Sequence, residues 1–263
     1  MATIELVGEE RWSTLSVFNS NAFPVGLEPN VKACSTRAAI HLVHFNMLED
    51  AIEKNCEDFQ KELKINITDQ TIASLKNKHS DSMIVYYDGI DFLAAFHDYL
   101  HSLKSFLDVY SILICKTIQP TLMQKILFDT RTIGGEKISG GKVLNWLKHS
   151  APQSFTNSLK LQEVFEKHSK DWITEAIKYR DTLSHFRDIE GMEVMRVYLN
   201  PPSYNCSKIF LPLMPGGQLV VDYCSELLSK LRKFVEESMI LLPNIEMGNI
   251  TFTNFLIVGH RNG

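Results

Sequence analysis

Apolar residues recur at helical spacing along most of the chain. The sharpest run is Leu93, Phe96, Leu100, Leu103, Leu107, Tyr110 and Ile114, in steps of three and four. That 3.5-residue repeat over three heptads predicts a helix lying along another helix. Asp88 is a start signal for it, and Pro120 ends it because proline cannot continue the hydrogen-bond ladder. Residues 31 to 64 predict a second long helix. Its broad apolar face is Ala38, Ala39, Leu42, Val43, Phe45, Met47, Leu48 and Ile52, against a polar side of Glu49, Asp50, Glu53 and Lys54. Thr68 or Asp69 caps a shorter helix reaching about Lys78. Val143 to Lys148 predict a short helix. Residues 158 to 183 predict a long one, with Leu161, Val164, Phe165, Trp172, Ile173, Ala176 and Ile177 on its apolar side. A last helix runs from about Val220 to Leu241, through Val221, Cys224, Leu227, Leu228, Leu231, Val235 and Met239.

The period changes after residue 190. Glu193, Arg196 and Tyr198 sit among the apolar Met192, Val194, Met195, Val197 and Leu199, and Ile209, Leu211 and Leu213 alternate in a second run. Between the runs lies Asn200-Pro201-Pro202-Ser203-Tyr204-Asn205, a turn-rich connection. This predicts a β-hairpin at about 192–213, which must pack on the helices because a lone hairpin is only marginally stable. Residues 1–30 hold Asn19, Asn21, Pro24, Gly26, Pro29 and Asn30, and predict an irregular arm. Thr251 to Val258 predict an extended apolar tail. No linker or repeat divides the rest. The expected fold is mainly α: one helical domain over 31–263 with a small β-hairpin insertion before the C-terminal helix.

Residues 129 to 142 carry Gly134, Gly135, Gly140 and Gly141 and predict a flexible loop. The frame from Gly135 to Lys142 imitates a phosphate-binding loop, but Val143 stands where a Ser or Thr would hold magnesium, and no buried strand precedes it. Nucleotide binding is not expected here.

Composition narrows the class. The chain has 263 residues, 44% hydrophobic and 22% charged, as in a globular protein with a sizeable core. Net charge is −4, so no global basic field draws nucleic acid, and any RNA contact rests on a local patch. Cys34, Cys56, Cys115, Cys206 and Cys224 are odd in number and lack C-x-x-C spacing, which points to reduced, buried thiols rather than disulfides or a thiolate zinc site. The start of the chain lacks the basic and apolar regions of a signal peptide. The most apolar segment, 92–118, is interrupted by His97, Asp98, His101, Lys104 and Asp108, against a membrane span. A cytoplasmic protein is expected, without membrane contact.

The candidate chemistry lies at the end of the 158–183 helix, in Arg180, Asp181, Ser184, His185, Arg187 and Asp188. Arginine is a permanent cation that suits phosphate oxygens. Histidine gives or takes a proton near neutral pH. The two together suffice for metal-free cleavage of a phosphodiester. Five residues turn a helix through about 500°, leaving Arg180 and His185 about 140° apart around the axis. A joint site therefore needs the helix to end or bend near Leu183, or a second subunit to bring its own copy. The alternative is an ordinary i, i+4 surface pair between Asp181 and His185.

Arg180-x4-His185 at the end of a helix, in a helical domain, resembles the R-x(4-6)-H signature of the HEPN superfamily. Asp108, an acidic residue inside the apolar pattern of a preceding long helix, is similar to that family as well. The resemblance covers roughly residues 88–240. It implies a helical bundle that forms a homodimer, with two motif copies in one cleft, and a metal-independent endoribonuclease of toxin, antitoxin or defence systems, with an antitoxin protein as a partner. Arg180 would steady the phosphate in the transition state, and His185 would transfer the proton of the ribose 2′-hydroxyl. Asp181 and Ser184 would orient them, and no cofactor is implied. Asp181 fills the polar place that follows the arginine in many members. Arg187 stands where some carry an aromatic residue. Other members have lost catalysis and serve as binding modules, which is the second reading.

A third reading comes from histidine spacing. His97 and His101 stand at i, i+4, and His41 and His44 at i, i+3 on another helix. Imidazoles from two helices can hold zinc, nickel or iron in a bundle. The alternative is that these histidines are half-buried or solvent-facing beside the apolar stripe.

Overall fold

The computed structural model describes residues 23–66, 83–87, 90–133, 135–185, 187–192, 195–200 and 205–243. It is mainly helical with a small antiparallel β component. In chain order, α1 is Glu28–Asn66, β1 Met83–Tyr87, α2 Ile90–Ile118, β2 Arg131–Ile133, β3 Glu136–Ile138 and α3 Gly141–His149. Then come α4 Ser158–His168, a π-helical segment Ser169–Ile173, α5 Thr174–Ser184, β4 Met195–Asn200, β5 Asn205–Phe210 and α6 Val220–Met239. No helix among the described residues is long and apolar enough to cross a membrane. The expected start signal Asp88, the helix to Lys78, most of the N-terminal arm and the apolar tail lie outside the described residues.

Helix α2 follows the pattern that predicts it. It ends at Ile118, ahead of Pro120. Of the heptad stripe, Phe96, Leu100, Leu103, Leu107, Tyr110 and Ile114 are buried. The buried face is wider than the stripe, since Tyr99, Phe106, Leu113, Ser102, Ser111 and Thr117 are buried too. The hydroxyls are tolerated because each finds a partner. Ser111 donates to the carbonyls of Asp108 (2.9 Å) and Ile126 (2.7 Å), and Thr117 to that of Leu113 (2.8 Å).

The structure divides into two compact units, each assembled from separate stretches of chain. That discontinuity is why no linker marks them in the sequence. The first comprises the described parts of Met1–Leu42, Ser102–Glu175 and Leu231–Gly263. Its core is aromatic. Phe234 meets Phe165 at 4.9 Å between ring centroids, Tyr110 at 5.6 Å and Phe128 at 6.4 Å, all near edge-to-face. Residues 129–142 form the short hairpin β2–β3, with Arg131 opposite Ile138, rather than a flexible loop. The glycine pair there serves packing. Gly140 has φ +81°, and a Cβ on it would lie 2.6 Å from the Phe128 ring, while one on Gly141 would lie 2.7 Å from Arg131 Cβ. Lys142 reaches Asp129 Oδ2 at 3.4 Å.

Polar groups in this unit are tied into the core. Asp108 Oδ1 accepts from Lys104 Nζ (2.6 Å) and from the Phe128 backbone N–H (2.9 Å), pinning the segment after α2. Buried His168 sits at the start of the π segment. Its Nδ1 accepts from Trp172 Nε1–H (2.9 Å), so the ring proton is on Nε2, which donates to Glu237 Oε2 (3.0 Å). Burial lowers the His168 pKa, against the pull of Glu237. Burial raises that of Glu237, but the His168 and Lys167 contacts outweigh it and leave it lowered.

The second unit comprises the described parts of Val43–His101 and Ala176–Lys230. Its sheet is three-stranded and antiparallel, in the order β1-β4-β5. The hairpin expected at 192–213 is β4–β5, with Arg196 opposite Phe210 and a register shift between Tyr198 and Leu199. The sequence pattern did not mark β1, which pairs Met83 with Leu199 through Tyr87 with Met195. Buried Tyr99 donates to the Cys224 carbonyl (2.7 Å) and packs on Phe45. Cys34, Cys115 and Cys224 are buried free thiols whose pKa values burial raises.

Candidate functional site

The candidate site lies in the second unit, at the end of α5. The helix stops at Ser184, the residue before His185. Three backbone bonds close it: His185 N–H to the carbonyls of Asp181 (3.1 Å) and Thr182 (3.2 Å), and Arg187 N–H to the Thr182 carbonyl (3.2 Å). Buried Ile189 follows and anchors the departing chain. The helix therefore ends one residue past Leu183, and His185 follows it in the turn. His185, Arg187 and Asp188 are exposed.

Arg180 is held more closely. Its side chain is 20% exposed, and Nη2 contacts Asp181 Oδ1 at 2.6 Å. Its Nε is buried and has no hydrogen-bond partner among the described residues. A buried donor left unmatched costs about 1–3 kcal/mol. The Asp181 carboxylate is thus engaged by Arg180.

Ser184 is exposed, one turn beyond Arg180. Its Oγ lies 3.0 Å from His97 Nε2 on α2, 87 residues away in sequence. His97 is about one-third exposed, and its Nδ1 faces Asp98 Oδ1 at 3.7 Å, an electrostatic rather than hydrogen-bonding distance. The His101 ring lies 6.0 Å from that of His97. His44 Nδ1–H donates to the Asp98 carbonyl at 3.0 Å, which leaves Nε2 as its lone-pair nitrogen.

The structure thus distributes the expected residues unevenly. Arg180, Asp181 and Ser184 share one helix end, with His185 and Arg187 in the turn after it. His97 joins them through Ser184. No sequence signal carries that link, because nothing in local spacing ties α2 to α5. Asp108 belongs to the first unit, where its carboxylate holds Lys104 and the Phe128 amide. His41 also belongs to the first unit, where it is buried and its Nδ1 lies 2.8 Å from Ser102 Oγ. Among the described residues, no group of three or more His, Cys, Asp or Glu is arranged to hold a metal ion.

Chemically, the helix end offers a guanidinium, an exposed imidazole and an exposed hydroxyl backed by a second imidazole. Groups of these types can pair with an anion and exchange protons. No protein-family model matches the chain, and no curated protein or solved structure is significantly similar to it.

Proposed function

We propose that the chain is a metal-independent endoribonuclease of the HEPN type, acting as a toxin or defence factor, with its site composed from two subunits of a homodimer. The observation that carries this reading is the end of α5 at Ser184, which leaves His185 exposed in the turn while Arg180 stays on the last helical turn. Arg180 would stabilise the charge that builds on the phosphate oxygens in the transition state. His185 would take the proton of the ribose 2′-hydroxyl as it attacks the adjacent phosphorus. The products would be a 2′,3′-cyclic phosphate and a free 5′-hydroxyl. The orphaned Nε supports the arginine's part, because turning the guanidinium from Asp181 toward a phosphate gives up an arrangement that leaves one donor unmatched. An antitoxin protein would restrain such an activity in the cytoplasm.

A second reading is a catalytically silent binding module. The Arg180–Asp181 pair favours it, since a neutralised guanidinium grips a phosphate less strongly. Labelled RNA incubated with the protein in EDTA separates the two. The nuclease reading expects cleavage, lowered about 10²–10³-fold by Arg180→Ala and comparably by His185→Ala. Intact RNA, with the protein held in a stable complex with another protein, would establish the module instead.

A further inference from the structure

Cleavage of a phosphodiester without a metal needs two proton transfers. One proton leaves the attacking 2′-hydroxyl. Another must reach the departing 5′-oxygen, which is a poor leaving group as an alkoxide. The motif supplies one exposed imidazole per chain, His185. The structure sets a second, His97, against the neighbouring Ser184 on the same unit, in a position the motif does not predict.

We infer that Ser184 and His97 form a proton relay to the leaving oxygen, resting on the nuclease reading given above. The contact that carries this is His97 Nε2 to Ser184 Oγ at 3.0 Å. Ser184 is exposed and sits one turn from Arg180, on the same helix face. His97 keeps about a third of its side chain in solvent, enough to be re-protonated from water after each turnover. Asp98 Oδ1 lies 3.7 Å from His97 Nδ1. Among the described residues, the ionisable groups on the segments that carry the relay include His101, with its ring 6.0 Å from His97, His44 on the Asp98 carbonyl, and Arg180, Asp181 and His185 on the motif segment. By contrast, both nitrogens of His168 in the first unit are bound to Trp172 and Glu237, and that ring is enclosed.

The step balances without an oxidant or co-reactant. His185 accepts the 2′-hydroxyl proton, the 2′-oxygen bonds to phosphorus, and the bond from phosphorus to the 5′-oxygen breaks. The Ser184 hydroxyl gives its proton to that oxygen and regains one from His97 Nε2–H. Neutral His97 and protonated His185 then exchange one proton each with water.

The test compares two leaving groups. One substrate is a uridine-containing dinucleotide. The other is uridine 3′-(4-nitrophenyl phosphate), whose phenolate departs without a proton. His97→Gln and Ser184→Ala are assayed in EDTA beside the wild type and Arg180→Ala, with thermal melting to confirm folding. The relay predicts a loss of about 10²–10⁴-fold for both variants on the dinucleotide. On the activated ester it predicts rates within about threefold of wild type, because no acid is needed there. It also predicts that His97→Gln removes one limb of the pH–rate profile on the dinucleotide. Equal losses on both substrates would overturn the relay by showing a merely structural role. Full activity of both variants on the dinucleotide, with Arg180→Ala inactive, would overturn the relay and leave the nuclease reading standing. Failure of the wild type to cleave either substrate would overturn both.

Discussion

His168 in the first unit and His97 in the second are treated in opposite ways. In the first, His168 is enclosed against Phe234, its Nδ1 accepting from Trp172 and its Nε2 donating to Glu237. In the second, His97 reaches Ser184 at the solvent edge and His185 sits exposed beyond a helix end. An imidazole with both nitrogens committed and no route to water cannot exchange protons with a substrate. One left at the surface beside a hydroxyl can. Asp108 follows the same rule as His168, with one carboxylate oxygen taking both Lys104 and the Phe128 amide. Commitment to protein partners, more than residue type, separates these side chains.

That contrast can be broken most forcefully in the aromatic core. Phe234→Ala removes the ring on which Phe128, Phe165, Tyr110 and His168 converge, and should destabilise the first unit by about 3–5 kcal/mol, read by denaturant melts. A loss under about 1 kcal/mol would mean the core does not depend on this ring. Asp108→Ala leaves the Phe128 amide and Lys104 unmatched and should cost about 1–3 kcal/mol. If instead it leaves stability unchanged but abolishes RNA cleavage, Asp108 belongs to the chemistry and the division between the units fails.

The gentlest test is pH. His168 has a lowered pKa in the folded state, so its neutral form is the one folding favours. Its contribution is complete above the ordinary imidazole value of 6.5 and is lost as pH falls below it, because the unfolded chain then binds a proton that the folded one resists. Glu237, also lowered, loses its contribution further into acid. Protonated His168 would also turn Nδ1 into a donor facing the Trp172 N–H. Thermal stability should therefore drop between about pH 7 and 5, with a change in tryptophan emission, and His168→Gln should flatten that slope. An unchanged slope in His168→Gln would place the acid sensitivity elsewhere.

Much of the helical frame is legible in the sequence, because an amphipathic helix writes its buried face into local spacing. Helix α2 is the clearest case, and Pro120 marks its end. Ser102, Ser111 and Thr117 were hidden inside that helix, since polar residues with backbone or side-chain partners can be buried without disturbing the pattern. Strand β1 was missed because its pairing with β4 is long-range and leaves no period of its own. The π segment Ser169–Ile173 has no local signature; it shows only in the backbone within a pattern that reads as one helix. At the candidate site, Arg180 and His185 announce themselves by type and spacing. The tie between His97 and Ser184 does not, for it exists only once α2 and the end of α5 have folded together.

The most direct measurement is the chemistry of the ends made from a defined RNA in EDTA. Mass spectrometry should find a 2′,3′-cyclic phosphate on one fragment and a 5′-hydroxyl on the other, with both lowered about 10²–10³-fold for Arg180→Ala and His185→Ala. RNA that stays intact, or cleavage that appears only with added divalent metal and yields 5′-phosphate ends, would contradict the account.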